Sequence, residues 1–349
     1  MNLKELSTKL GLSQTTVSRA LNGYPEVREE TRLKVQQMAD KYNYRPSSQA
    51  RRLAMGRTMS IGHVLTVSGA NEMVNPVFAD FIAGAGEVYA KSGYDMVLSV
   101  VNDSEEETHY REIAAKKSVD GIIVHGPRSM DPRIDLLRSV GLPFAVHGRT
   151  PGSEADYTWL DVNNKRAFQR ATDFLIDLGH HRIALLNGLS SLNFALRRRQ
   201  GYIDALTSRG VDYDDTLVFF EEMTEHYGYR IASEQLAAEN APTAFLTSSI
   251  LVAMGVRRAV QELGLVVGKD VSILTHDDDL SYMQNTGEVP MFTATRSSVR
   301  DAGRKLAELL IHNIENPSDV PSHVLWEAQL VVGASTGPAP LRAAQSDYA

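Results

Sequence analysis

The sequence predicts a small all-α unit at the N-terminus joined to a larger, two-lobed α/β unit. Three observations predict this. Residues 1–57 show short helical periodicities punctuated by Gly and Pro, and hold eleven Lys/Arg against five Asp/Glu. From Ser60 onward, apolar runs of strand length alternate with segments of helix length. That alternation occurs in two successive series, the second starting near Asn163.

The first unit is read from its leucines. Leu3, Leu6 and Leu10 recur at i, i+3 and i+7, which predicts a short helix that Gly11 ends. Ser13 is a good N-cap for a second helix with Val17, Ala20 and Leu21 on one stripe. Asn22-Gly23 and Pro25 stop it, and a third helix follows with Val35, Met38, Ala39 and Tyr42 on one face. We place this unit at residues 1–45. Pro46 breaks the pattern, Ser47 or Ser48 can cap a short segment over 49–55, and Gly56 ends it. So few residues are marginal as an isolated helix. Residues 46–57 therefore read as a hinge that orders conditionally.

The second unit, 58–337, reads as repeated β-α-β. Strands are expected at Ser60–Val67, Tyr94–Val101, Gly121–His125 and Pro143–His147, with a helix at Pro76–Ser92. The second series offers a helix to Leu178, strand Arg182–Asn187, helix Phe194–Ser208, strand Thr243–Thr247, helix Ile250–Leu263 and strand Val271–His276. Short, continuously apolar strands mean parallel sheets covered on both faces, with a ligand between lobes at the strand carboxyl ends. The lobes are expected at about 58–160 plus 291–321, and about 161–290 plus 322–337. Residues 338–349, Ala- and Pro-rich and without a leucine heptad, read as a flexible tail.

Charge narrows the function. The head carries a net +6 and the remainder, with 25 basic and 38 acidic residues, a net −13. A basic head on an acidic body fits a chain whose head alone meets phosphates. No apolar run reaches the roughly 18 residues that span a bilayer, and no signal-peptide core is seen. With no cysteine in 349 residues, disulfides and thiolate metal sites are excluded, and a cytoplasmic setting is the simplest. No nucleophile elbow, Walker loop or zinc-ligand spacing is found, so neither an enzyme nor a bound cofactor is expected. Gly84-Ala-Gly86 lies within a helix and is no dinucleotide fingerprint, and His180-His181 reads as a helix-end dipole partner.

The stretch Leu6-Ser-Thr-Lys-Leu-Gly-Leu-Ser-Gln-Thr-Thr-Val-Ser-Arg-Ala-Leu-Asn-Gly23 closely resembles the headpiece of the lactose-repressor (LacI/GalR) family. Further matching segments are Tyr44-Arg-Pro46, Ala50-Arg-Arg-Leu53, Val119-Asp-Gly-Ile-Ile123, Leu178-Gly-His180, Gly201-Tyr202 and Asp277-Asp278, so the resemblance covers roughly 2–336. It implies a helix-turn-helix headpiece on a periplasmic-binding-protein-like (type I) effector domain. The function implied is a homodimeric, sequence-specific transcriptional regulator, a repressor that a small sugar releases from a near-palindromic operator. Co-repression or activation is the alternative within the family. A sugar-binding transport protein is a more distant one, for which an export signal would replace the headpiece.

The resemblance also assigns residues. Gln14, Thr15 and Arg19 would read base edges, consistent with the pairing chemistry of Gln, Thr and Arg in the major groove. Ser13, Thr16, Ser18, Asn22 and Thr31 would hold phosphates. Leu53, with Ala50 and Arg51, would enter the minor groove. The effector would lie against Asn75, Phe78, His147, Gly148, Arg198, Ser249, His276, Asp277 and Ser297. Arg198 and Asp277 can clamp a polyol between a guanidinium fork and a carboxylate, and Phe78 can stack on a sugar face. Of Arg197, Arg198 and Arg199, the family's spacing to Tyr202 selects the middle one. Departures are Ser249-Ile250 where many members have Asn-Asp, His276 where an aromatic precedes the Asp pair, and Gly148 where the lactose repressor has an acidic residue. His147-Gly-Arg149 and His276-Asp-Asp-Asp279 are similar to rhizobial-type regulators of α-glucoside uptake, and an α-glucoside is the effector class expected.

Overall fold

The structure, a computed structural model, describes residues 1–21, 23–44, 56–67, 74–276, 279–317 and 320–340. The head contains α1 (Leu3–Leu10), α2 (Gln14–Leu21) and α3 (Glu29–Lys41). The Asn2 side chain caps α1 and Glu5 reaches back to the Asn2 amide, a reciprocal capping box. Ser13 caps α2 through its hydroxyl, which accepts from the Thr16 amide at 3.0 Å. Leu6, Leu10, Val17, Ala20, Val35 and Ala39 close a small core beneath the three helices.

The body opens with β1 (Ser60–Thr66), α4 (Pro76–Ser92), β2 (Asp95–Val101), α5 (Glu106–Lys116), β3 (Gly121–His125), α6 (Pro132–Ser139), β4 (Phe144–His147) and β5 (Thr158–Val162). The second series is α7 (Asn164–Asp177), β6 (Ile183–Asn187), α8 (Asn193–Ser208), β7 (Val218–Phe220), α9 (Glu225–Leu236), β8 (Ala244–Thr247), α10 (Ile250–Glu262), β9 (Ser272–His276) and β10 (Thr293–Arg296). The chain finishes with α11 (Val299–Glu315), β11 (His323–Trp326) and β12 (Gln329–Val331).

Two six-stranded sheets result, in the orders β11-β5-β4-β3-β1-β2 and β12-β10-β9-β8-β6-β7. Only the β10–β12 pair is antiparallel among the described strands. The chain crosses between lobes three times: after β5, after β10, and between β11 and β12. This moves the expected lobe limits. Residues 293–296 pair with β9 in the second lobe, and 323–326 pair with β5 in the first. The outer crossings thus follow Arg296 and Trp326. These two strands are only four residues long each, too short for a periodicity to assign them to a sheet.

Each sheet is covered on both faces, as continuous apolar strands require. In the first lobe Ile61, Ile123, Ala145 and Leu160 face α4 and α11, while Val64, Ile122, Val124 and Val146 face the other layer. Helices α4 and α11 cross backbone to backbone: a Cβ at Gly84 would stand 2.0 Å from the Arg300 carbonyl oxygen. That contact accounts for Gly84 better than any nucleotide motif.

Two further expectations change. His180 is fully buried, with Nδ1 bonded to the Thr243 hydroxyl at 2.8 Å and Nε2 to that of Ser272 at 2.9 Å. It fastens α7, β8, β9 and the final segment together, and burial lowers its pKa, so a buried neutral ring takes the place of the expected dipole partner at the end of α7. The final segment begins less freely than the flexible-tail reading held. The Ala339 amide donates to the Leu178 carbonyl at 2.8 Å, and residues 341–349 lie outside the described residues.

Candidate functional site

Two surfaces stand out. The first is the outer face of α2. Val17 and Ala20 point into the head core, which leaves Gln14 and Thr15 exposed at the start of the helix and Arg19 exposed in its last turn. Among the described residues Arg19 pairs only with Glu26, at a long and exposed 3.8 Å, which leaves its guanidinium weakly held. Ser13 and Thr16 bond each other at 2.8 Å while Ser13 caps the helix. Their oxygens are therefore already engaged in positioning α2. Ser18 and Thr31 are half-buried. Asn22, Ala50, Arg51 and Leu53 lie outside the described residues, as does nearly all of the expected hinge.

The second is a cavity of about 640 Å³ between the lobes at the strand carboxyl ends. Eight of the nine effector positions named from sequence line it, and Asp277 lies outside the described residues. Arg198 on α8 is 5% exposed, so its charge is held by the protein. Its Nε donates to Asn164 Oδ1 at 2.8 Å and its Nη1 to the Ser248 carbonyl at 2.8 Å. The guanidinium also lies over two rings, Phe194 at 4.7 Å and Phe168 at 5.1 Å from their centroids. Its neighbours go elsewhere: Arg197 pairs with Glu154 at 3.3 Å and Arg199 donates to the Tyr213 hydroxyl at 2.9 Å.

The other positions divide their duties. Asn75 and Ser249 line the cavity and cap α4 and α10 through their side-chain oxygens. His276 is buried, with Nδ1 at 2.6 Å from the Thr295 hydroxyl. His147 stacks on Phe81 at 4.5 Å. Phe78 is 9% exposed and meets His125 edge-on at 5.1 Å, so its face is less open to a sugar than the sequence reading held. Gly148 is demanded by the backbone. Its φ is +108°, and a Cβ there would meet Pro127 at 2.8 Å, which leaves no room for an acidic side chain.

Sequence reasoning missed several residues on this wall. Arg149 and Asp161 pair at 3.0 Å, where burial pushes the Asp161 carboxyl upward against the pull of Arg149. His125, at the carboxyl end of β3, lines the cavity beside Phe81. Its position at a strand end facing the topological cleft was the available signal. Among the described residues no group of His, Cys, Asp or Glu is arranged to hold a metal ion. No helix among them is long and apolar enough to cross a membrane.

Comparison with known proteins gives this geometry a context. The family described as bacterial regulatory proteins, lacI family, matches residues 2–47, and the periplasmic binding protein-like domain matches 172–336. The chain is 44% identical to the HTH-type transcriptional regulator AglR of Rhizobium meliloti (strain 1021), over 98% of this chain and 96% of that protein. The chain belongs to the lacI family.

Solved structures agree. The transcriptional regulator CelR–cellobiose complex superposes with a TM-score of 0.71 at 27% identity, covering 96% of this chain and 99% of that one. The lac repressor dimer bound to operator and the anti-inducer ONPF has the same fold, with a TM-score of 0.81 at 23% identity over 97% and 99% of the two chains. As a lacI-family member the chain is a DNA-binding transcriptional regulator: α2 lies in its helix-turn-helix, and the inter-lobe cavity lies in its periplasmic-binding-protein-like domain.

Proposed function

We infer that this lacI-family regulator is a cytoplasmic repressor of carbohydrate-utilisation genes, released from its operator by a small sugar, with α-glucosides the effector class favoured. The buried Arg198, sandwiched between Phe168 and Phe194 at the wall of the cavity, carries the sugar reading. The Phe194 ring and a fixed guanidinium, both on the cavity wall, suit a polyol with apolar C–H faces and paired hydroxyls. A volume of about 640 Å³ falls within the range of small-molecule sites and has room for a disaccharide. The likeness to the cellobiose-bound CelR structure supports a glucose-containing effector.

On the DNA, Gln14, Thr15 and Arg19 read base edges, and Ser13, Thr16, Ser18, Asn22 and Thr31 attach or position the helix against phosphates. Leu53, with Ala50 and Arg51, completes the minor-groove contact. A head this small needs a twin, so we assign a homodimer on a near-palindromic site. The edge strand β2, with Val97, Leu98 and Val100 exposed, supplies apolar surface for that partner. Binding alone accounts for the cavity, and we assign it no catalytic step. A thermal-shift screen of the full chain against maltose, trehalose, sucrose and cellobiose tests the effector class, because a ligand raises apparent stability by mass action. Stabilisation by an α-glucoside supports it. Stabilisation by cellobiose alone, or by none of the four, overturns it.

A further inference from the structure

Behind the cavity wall lies a line of polar groups that no DNA-binding or lobe-packing role explains. The Tyr89 hydroxyl is 3.0 Å from His63 Nε2, and His63 Nδ1 is 2.9 Å from His125 Nε2. Tyr89 on α4 is 2% exposed and His63 on β1 is fully buried. His125 on β3 lines the cavity. Its remaining polar ring atom, Nδ1, takes no partner among the described residues and is not one of the buried unpartnered atoms, so it faces the cavity.

Hydrogen-bond accounting gives this line a direction. His63 is the only described partner of the Tyr89 hydroxyl, so the phenolic proton is satisfied only if Tyr89 donates to His63 Nε2. The reverse polarity would leave that proton orphaned in the core. With Nε2 an acceptor, neutral His63 carries its proton on Nδ1 and donates to His125 Nε2. Neutral His125 then also carries its proton on Nδ1. Burial keeps both rings uncharged, holding His63 down to about 3 and His125 well below its ordinary value. Burial likewise keeps the Tyr89 phenol protonated, with its pKa raised.

We propose that Tyr89 and His63 fix the tautomer of His125, so that this histidine presents a one-way hydrogen-bond donor, Nδ1–H, to an acceptor oxygen of the effector. Tyr89 and His63 are positioning residues and His125 is the binding residue. The acceptor is a hydroxyl, ring or glycosidic oxygen of a sugar, a ligand class that rests on the function proposed above. The tautomer chain itself does not depend on it. The site would discriminate against a ligand whose group at this point is only a donor, because two facing N–H or O–H groups would then be left unpaired.

The experiment is long-range ¹H–¹⁵N correlation on the full chain labelled with ¹⁵N-histidine, near neutral pH and without sugar, with His63→Gln and His125→Gln used to assign the rings. The expected spectrum has protonated Nδ1 and bare Nε2 at both His63 and His125, the reverse of the form usual for histidine in water. Protonated Nε2 at either ring overturns the chain. Tyr89→Phe should shift the tautomer balance of His125, two groups away, which a purely space-filling tyrosine would not do. Maltose is then titrated into the wild type. A shift of the His125 Nδ1 proton supports the donor role. Stabilisation by maltose with that proton unmoved overturns the role while leaving the effector class intact. Correct tautomers with no sugar binding at all sink the sugar reading and, with it, the ligand named for the donor.

Discussion

The Asp80 carboxylate on α4 of the first lobe accepts a hydrogen bond at 2.6 Å from the backbone amide of Ser281, which follows β9 in the second lobe. Arg300 at the start of α11 sits behind it, 3.7 Å from Asp80 and 2.9 Å from the Ser281 hydroxyl. On the other side of the cleft Asn193 on α8 donates to the carbonyls of Pro127, at 3.0 Å, and Arg149. These ties hold the lobes at their present angle. A ligand acts on DNA affinity only by favouring one lobe arrangement over another, so the ties set the balance against which it works.

Asp80→Ala removes the charged acceptor from Ser281, an interaction of roughly 1.5–3 kcal/mol when buried and less here because Ser281 is exposed. We expect a wider spread of lobe angles in the sugar-free protein, seen as a larger radius of gyration in small-angle scattering. An unchanged scattering curve would show that the tie has no part in setting the angle.

Arg19→Ala is expected to cost about 1–3 kcal/mol of operator affinity and to relax preference at one base position. Thr31→Ala should weaken all sequences alike, as loss of a phosphate contact does. Binding to a randomised-site library distinguishes them. An intact base preference in Arg19→Ala would mean that another face of the head enters the groove.

Gly148→Ala places a side chain at φ +108° against Pro127. Strain of this kind costs of order 1–3 kcal/mol. The urea midpoint should fall with no change in slope, and an unshifted midpoint would show that the loop relaxes freely.

Stability should decline as pH falls below the unfolded histidine value. Burial lowers the pKa of His63 to about 3, and lowers those of His125 and His180 as well. For a base depressed in the folded state, the unfolded chain binds the extra proton. The stabilising contribution is therefore complete above about pH 6.5 and is lost downward toward the folded values, at about 1.4 kcal/mol per pH unit for each such group. Urea melts at pH 7.5 and pH 5 measure it. His180→Asn should flatten the dependence, and an equal slope in that variant would assign the effect to other groups.

Much of this was legible in the chain because local and tertiary demands agree. Ser13 ahead of Val17 and Ala20 fixes both the start of α2 and its buried stripe, which leaves Gln14, Thr15 and Arg19 outward. Arg198 was separable from two neighbouring arginines only by its spacing to Tyr202, whose hydroxyl anchors to the Ile183 carbonyl at 2.8 Å. What escaped was decided by partners distant in sequence. His180 is buried by Thr243, Ser272 and Gly337, none of which its local sequence announces. The exchange of β10 and β11 between lobes depends on pairings with β9 and β5. His125 looks like an ordinary strand end until His63 and Tyr89 are placed behind it.

The central claim is that sugar in the cavity governs operator binding through Arg198. Its most direct test is fluorescence anisotropy of labelled operator DNA, titrated with maltose, trehalose and sucrose, for the wild type and for Arg198→Ala checked by circular dichroism for folding. We predict that at least one of these sugars lowers operator affinity of the wild type, with a coupling commonly of about 5–150-fold. We predict no such response in Arg198→Ala. A sugar that tightens wild-type binding would reverse the sign of the mechanism, and a wild-type response in Arg198→Ala would contradict the account.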